Sequence, residues 1–225
     1  MPDTGYTGRD VLVFGAAGAL GTGVAMAFAN AGASVTGVDR SVQPPDRQLA
    51  GIDYQAADVL DDEAIAALFG SRQAPWAVIN TVGGYAPTRP LADLNLAELR
   101  AQLELNLVSA ALITKYALRA LQDAGRGRIV HTASRAGVVS AGSGFAYSAS
   151  KAGVVHLVSM AAAEVRGSGV TVNCVVPSII DTPANRAAQP SADFDAWPKV
   201  SHVARTYLYL ASPDAALVNG AAIPV

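Results

Sequence analysis

Tyr147 and Lys151 stand four residues apart in Tyr-Ser-Ala-Ser-Lys, and Ser134 precedes the tyrosine by thirteen. On a helix over residues 146–166 the first two share one face. A free phenol titrates near pH ~10, so at neutral pH it exchanges its proton poorly. An ammonium beside it stabilises the phenolate and is expected to lower that value toward the working range. A hydroxyl such as Ser134, delivered by a strand end, can hydrogen-bond a carbonyl or alkoxide oxygen. Together the three groups can move a proton onto, or off, an oxygen whose carbon exchanges a hydride. Tyr and Lys at this spacing also arise on ordinary solvated helix faces, so the elements around them have to decide.

Those elements begin with Val11-Leu12-Val13-Phe14, a short apolar run of the kind buried parallel strands show. Gly15-Ala16-Ala17-Gly18-Ala19-Leu20-Gly21 follows, then an alanine-rich helix to about Asn30, a stop at Gly32 and a second strand over Ala33–Val38. The glycines of this βαβ unit fall at its first turn, where bare backbone N–H groups and a helix N-terminus can meet a pyrophosphate. Asp39, at the tip of the second strand, can accept both hydroxyls of a ribose. Arg40 stands beside it.

Further strands are predicted over Asp53–Ala57 and Ala74–Asn80, with a helix over Asp61–Phe69 between them whose first turn is rich in Asp and Glu. Thr81-Val82-Gly83-Gly84 makes a turn at the carboxyl edge of the sheet, beside the crevice where such folds bind ligands. Leucines at helical spacing from Leu91 to about Ala124 predict one long or two consecutive helices. Asn106 interrupts them as either a solvated residue or a buried amide that orders water near the site. Arg128–Thr132 is a strand that delivers Ser134. The glycine-rich Ser140–Gly144 and the helix of Tyr147 and Lys151 come next, then a strand over Gly169–Val176 ended by Pro177. Residues 182–200 are polar and proline-containing, a candidate substrate lid with Phe194 and Trp197 as apolar anchors. A helix over Val203–Ala211 and a strand over Leu217–Val225 close the chain. The alternation predicts an α/β fold: one domain over 1–225, with a doubly wound parallel sheet of about seven strands.

Composition sets limits on function. With 51% hydrophobic and 15% charged residues among 225, a sizeable core is within reach. A net charge of −2 carries no footprint for nucleic acid or an anionic membrane. The single cysteine, Cys174, forms no internal disulfide, reads as a small core residue, and suits a cytoplasmic protein. His131, His156 and His202 are scattered, and no metal site is expected. Residues 11–38 are uncharged and long enough to suggest a membrane span, but Gly15, Gly18, Gly21 and Gly23 break any continuous helix there.

In its order of motifs the chain resembles the short-chain dehydrogenase/reductase family over nearly its whole length. The resemblance implies catalytic roles for Ser134, Tyr147 and Lys151, with Asn106 as the fourth member holding a proton-relay water. It places adenine contacts at Asp58 and Val59, the family's Asn-Asn-Ala-Gly at Asn80-Thr81-Val82-Gly83, and a nicotinamide clamp at Pro177, Ile180 and Thr182. Lys151 would also hold the nicotinamide ribose. The implied cofactor is NAD(H), since Asp39 repels a 2′-phosphate, while Arg40 leaves NADP(H) open. The implied partner is a small carbonyl or alcohol, and the assembly a homodimer or homotetramer, for which the small residues Ala149, Ala152, Val155, Ala161 and Ala162 suit close helix packing. Ala19 stands where the family usually has Gly, so the turn looks more like that of dihydropteridine reductases, as do Asp181–Arg186 and the Ala192–Trp197 stretch. Those enzymes lack the serine found here at 134. A pterin reductase, or a sensor or scaffold that binds the dinucleotide without turnover, are the alternatives.

Overall fold

A computed structural model describes residues 5–42, 44–87, 89–139 and 144–225 of the chain. Ser140–Ser143 of the glycine-rich stretch therefore lie outside the described residues, and Gly144 is within them with φ 68°.

Among the described residues the strands are β1 (Asp10–Phe14), β2 (Ser34–Asp39), β3 (Ile52–Ala56), β4 (Ala77–Asn80), β5 (Gly127–Thr132), β6 (Val170–Val176) and β7 (Ala222–Pro224). They form one parallel sheet in the order β3-β2-β1-β4-β5-β6-β7. The helices are α1 (Ala19–Asn30), α2 (Asp62–Gly70), α3 (Leu96–Leu103), α4 (Ser109–Asp123), α5 (Phe145–Glu164), α6 (Pro183–Ala188) and α7 (Val200–Ala211). Side chains alternate across a strand, and β1 shows the result. Leu12 and Phe14 join Ile65 of α2, Ile113 of α4 and Val154 of α5 in one core. Val11 and Val13 join Val24 and Phe28 of α1 and Val203 and Tyr207 of α7 in the other. Apolar cover on both faces explains why the strands read as unbroken apolar runs. The uncharged stretch over 11–38 is strand, turn, helix and strand, and no helix among the described residues is long and apolar enough to cross a membrane.

Chain order reverses between β1 and β4, which pair directly with Phe14 opposite Asn80. The loops leaving them, Gly15–Gly18 and Thr81–Gly84, therefore diverge at the carboxyl edge and open a crevice. Asp61 caps α2 by accepting the N–H groups of Glu63 and Ala64, and Asn95 caps α3 by accepting that of Ala97.

Three expectations change. The leucine-rich stretch starts its helix only at Leu96, because Asn95 supplies the cap. It then runs unbroken through a π-helical turn at Glu104–Val108, where the Ser109 N–H reaches back five residues to Glu104. The last strand is shorter than predicted. Asn219 accepts the Val172 N–H, and Asn173 accepts the Ala221 N–H and donates to the Val218 carbonyl, so side chains hold this loop until Ala222. The small-residue stripe of α5 is divided: Ala161 and Ala162 are buried against the sheet and Ala152 is exposed.

A Cβ at Gly21 would lie 2.0 Å from the Gly15 carbonyl oxygen and 2.7 Å from Thr81 Oγ1. Backbone must move to admit it. Gly21→Ala is expected to cost at least the ~1–3 kcal/mol of an overpacked site, which differential scanning calorimetry would read as a fall of roughly 2–12 °C in Tm for a chain of this size.

Candidate active site

The glycine turn is shaped for a close visitor. Gly15 has φ 79°, in the left-handed region that favours glycine, and its N–H is taken by the Val38 carbonyl. Gly18 is the N-cap of α1 and has ordinary extended backbone. A Cβ there would meet only the Gly15 carbonyl, at 3.4 Å, so the protein's own packing leaves room beside Gly18. No side chain caps α1, so the N–H groups of Ala19, Leu20 and Gly21 in its first turn lack intrahelical partners. Asp39 Oδ2 accepts the Ala17 N–H and Oδ1 accepts the Arg40 N–H, which ties strand β2 to this turn. A cleft of about 240 Å³ beside it is lined by Gly18, Asp39, Arg40, Asp58, Val59 and Gly83. Asp58 is fixed there by accepting the Leu60 N–H. The donor set fits a dinucleotide: unpartnered amides at a helix N-terminus for a pyrophosphate, and a carboxylate at a strand tip for a ribose.

The second half of the site is built on α5. Lys151 is buried at 3% exposure, and its Nζ donates to the Thr132 carbonyl at 2.9 Å. Burial lowers its pKa to about 8. Ser134 begins a short turn over Arg135–Gly137, and its Oγ accepts the Ala136 N–H, so its own hydrogen is available to a further acceptor. This turn lies directly on α5, since a Cβ at Gly137 would come within 2.6 Å of the Lys151–Ala152 backbone. Tyr147 is half-buried with Ser134 as its hydrogen-bonding neighbour. Its pKa is not lowered. Burial raises it, the Ser134 contact pulls partly the other way, and the neighbouring Tyr85 adds to the rise. In this state Tyr147 carries its proton at neutral pH.

Asn106 sits in the π-helical turn and is buried. Its Oδ1 accepts the Gly84 N–H, and its Nδ2 donates to the carbonyls of Gly84 and Gln102. It thus pins the turn after β4. A Cβ at Gly83 would lie 2.6 Å from Asn106 Oδ1 and 2.8 Å from Lys151 Nζ, so glycine is what lets these two groups approach. Beyond Pro177, whose carbonyl accepts the Arg135 N–H, Thr182 caps α6 and Asn185 donates to the Ile180 carbonyl. Asp181, just ahead, is bound by both Arg186 nitrogens at 2.5 and 2.9 Å and by Lys199 Nζ at 2.7 Å. The Arg186 bonds first, then Lys199, hold its carboxyl well below the usual carboxylate range. Phe194 and Trp197 pack on each other, with ring centroids 5.1 Å apart, and the Arg186 guanidinium lies over Phe194.

Two residues near the site had no motif to announce them. Tyr85 follows the glycine turn and meets the Tyr147 ring edge-on, with centroids 5.2 Å apart at 90°. His131 is fully buried between Asn80 and Thr114. The Thr114 hydroxyl donates to the Ala110 carbonyl, so it must accept from His131 Nε2–H. Nδ1 is then bare and accepts from Asn80 Nδ2, which turns Asn80 Oδ1 toward the Val82 N–H. Burial first, and then the Lys151 charge, push the imidazole down to about 4. Local sequence marks Asn80, but only strand register places His131 opposite it.

Residues 9–193 match the short chain dehydrogenase family. The chain belongs to this family. Its members are oxidoreductases acting on CH–OH and C=O groups with nicotinamide cofactors. A cis-4-hydroxycyclohexanecarboxylate dehydrogenase of Sinomonas cyclohexanicum is 33% identical, over 98% of this chain and 96% of that one. A D-threitol dehydrogenase of Mycolicibacterium smegmatis is 30% identical, over 95% and 90%. The solved structure of a short-chain type dehydrogenase/reductase from Mycobacterium ulcerans superposes with a TM-score of 0.89 at 27% identity, covering 98% of this chain and 89% of that one. As a short-chain dehydrogenase fold, the seven-stranded parallel sheet with helices on both faces is as the sequence predicts.

His131→Phe leaves the buried Asn80 amide short of a partner and is expected to cost about 1–3 kcal/mol. The pH dependence has a definite sign. Between pH about 4 and the ordinary histidine value of 6.5 the unfolded chain binds a proton that the folded chain refuses, so His131 makes stability fall as pH falls through that window. Urea unfolding at several pH values should show the gap between wild type and variant narrowing from pH 6.5 to 4.

Proposed function

We propose that this chain is an NAD(P)(H)-dependent oxidoreductase that interconverts a small carbonyl compound and its alcohol, with Tyr147 as the general acid and base. The observation that carries the reading is the convergence of Ser134, Tyr147 and Lys151 with the open turn at Gly18 on one edge of the sheet. Bound at this edge, a nicotinamide dinucleotide supplies or receives the hydride. The N–H groups of Ala19, Leu20 and Gly21 would hold its pyrophosphate, with Gly15 and Gly18 giving room, while Asp39 would accept from the adenosine ribose. Asp58 and Val59 would border the adenine, Asn80, Val82 and Gly83 would line the path of the dinucleotide, Lys151 would hold the nicotinamide ribose, and Pro177, Ile180 and Thr182 the amide.

In reduction, Ser134 directs its free hydrogen at the substrate oxygen and Tyr147 gives that oxygen its proton. Lys151 takes effect at this moment: a nearby ammonium stabilises the phenolate as it forms. Asn106 acts by fixing Gly84, and hence the turn between the two ligands. Asp39 favours NAD(H), and the exposed Arg40 beside it is the residue through which NADP(H) would be tolerated. The same reading takes residues 1–225 as one domain with 182–200 as its lid, working in the cytoplasm as a homodimer or homotetramer. Val108 and Met160 are exposed beside α4 and on α5 and suit such pairing. For the substrate, the two relatives named above differ in chemistry, one acting on a ring alcohol and the other on a polyol.

Tyr147→Phe should lower turnover by about 10²–10⁴, the usual contribution of a positioned acid or base, and leave the Kd for NADH within a few-fold; near-wild-type turnover would remove Tyr147 from the mechanism. Gly18→Ala should keep the wild-type Tm while weakening NADH binding, read by fluorescence titration. NADH and NADPH titrated side by side should favour NADH, and tighter NADPH binding would reverse the role given to Asp39. An NADH-oxidation screen over ketones, aldehydes, quinones and quinonoid dihydropterin should give turnover of ketones or aldehydes; turnover of the dihydropterin alone would identify a pterin reductase.

A further inference from the structure

Large apolar side chains gather at the mouth of this site without serving either core. Tyr85, Val138, Val139, Phe145 and Ile179 are all exposed, Tyr85 at 65%, and none belongs to the clusters that bind helices to the sheet. They come from four separate places: the turn after β4, the segment after β5, the first residue of α5 and the loop after β6. What these places share is the carboxyl edge around Ser134 and Tyr147. The turn after Ser134 lies on α5 beside Lys151, and Arg135 binds the Pro177 carbonyl, which brings the loop of Ile179 alongside. Apolar surface brought together from distant segments around a reactive group marks what that group receives.

We infer that the substrate is an apolar ring ketone or the matching secondary alcohol, and not a polyhydroxylated compound. This rests on the oxidoreductase reading above and adds the substrate class to it. Tyr85 stands upright against Tyr147, edge to face, and passes 3.7 Å from the position of a Cβ on Gly144. It forms an aromatic wall beside the atom that delivers the proton. A carbon ring seated on the Tyr147 hydroxyl would have this wall on one side. Hydroxyl groups on a substrate would find few partners there among the described residues. Asn106 is committed to Gly84 and Gln102, and Thr182 serves the cofactor amide in the reading above. Ser134 and Tyr147 serve the reacting oxygen. A polyol would have to bury its remaining hydroxyls without hydrogen bonds, which is costly.

The test uses the purified full chain with NADH. Cyclohexanone, 4-methylcyclohexanone and 1-tetralone are compared with erythrulose, dihydroxyacetone and an acetoacetyl thioester, each by kcat/KM. Ring ketones should exceed the hydroxylated and straight-chain carbonyls by roughly tenfold or more, the scale on which apolar pockets discriminate. Tyr85→Ala should raise KM for the rings several-fold and narrow that preference, with the Kd for NADH unchanged. A preference for the hydroxylated or straight-chain carbonyls, or an unchanged ring preference in Tyr85→Ala, overturns this inference while leaving the oxidoreductase reading intact. No turnover of any carbonyl by a chain that binds NADH overturns both.

Discussion

A buried cation has to find oxygen, and the architecture around Lys151 follows from that need. Its ammonium is out of reach of bulk water and is held by the Thr132 carbonyl at the last residue of β5. That carbonyl is available only because the strand ends there and the chain turns away toward Ser134. The Thr132 hydroxyl donates to the Asn80 carbonyl, which leaves it to accept from Tyr207 of α7 on the opposite face of the sheet. The lysine site is thus fastened to both layers of helices. The uncompensated charge also shapes its neighbours. It helps keep His131 neutral, and it partly offsets the burial that pushes the Cys174 thiol up to about 12. Cys174 is an inert core residue for that reason, as its place in an apolar strand suggests.

Close approach is the second requirement, and it is met by leaving side chains out. Gly83 makes space for Lys151 and Asn106, and Gly21 makes space for the Gly15 carbonyl. Gly23 does the same for Val200, so that α1 can lie against α7. The π-helical turn serves a similar end by different means. Its wider spacing shifts the residues of the long helix, and Asn106 comes to face the Gly84 backbone at the point where the ladder is interrupted.

Much of this was legible in the chain itself, because the signals are local. A strand, a glycine turn and a helix are set by a dozen adjacent residues, and Tyr147 and Lys151 are related by helical spacing alone. The doubly wound sheet follows from alternation, and the crevice from the order of strands. What stayed hidden depends on neighbours distant in sequence. His131 acquires its place through the register of β4 with β5, and Tyr85 through a ring contact across 62 positions. The charge state of Tyr147 was expected from its neighbour four residues on, but burial, which depends on the whole surrounding fold, dominates it. The outer ends of elements also escaped, as at β7, where asparagine side chains take over the work of the ladder.

The clasp at Asp181 bears on how tightly anything can be held. A loop of flexible chain loses entropy when its ends are brought together, by an amount that grows with the logarithm of its length. Here Asp181 grips Arg186 and Lys199, and its own N–H binds the Pro198 carbonyl, so the two feet of the 182–200 segment are already joined. That ordering cost is met when the chain folds. Contacts made to this segment are then spent on affinity and not on ordering a free strand of polypeptide, because its base is already fixed.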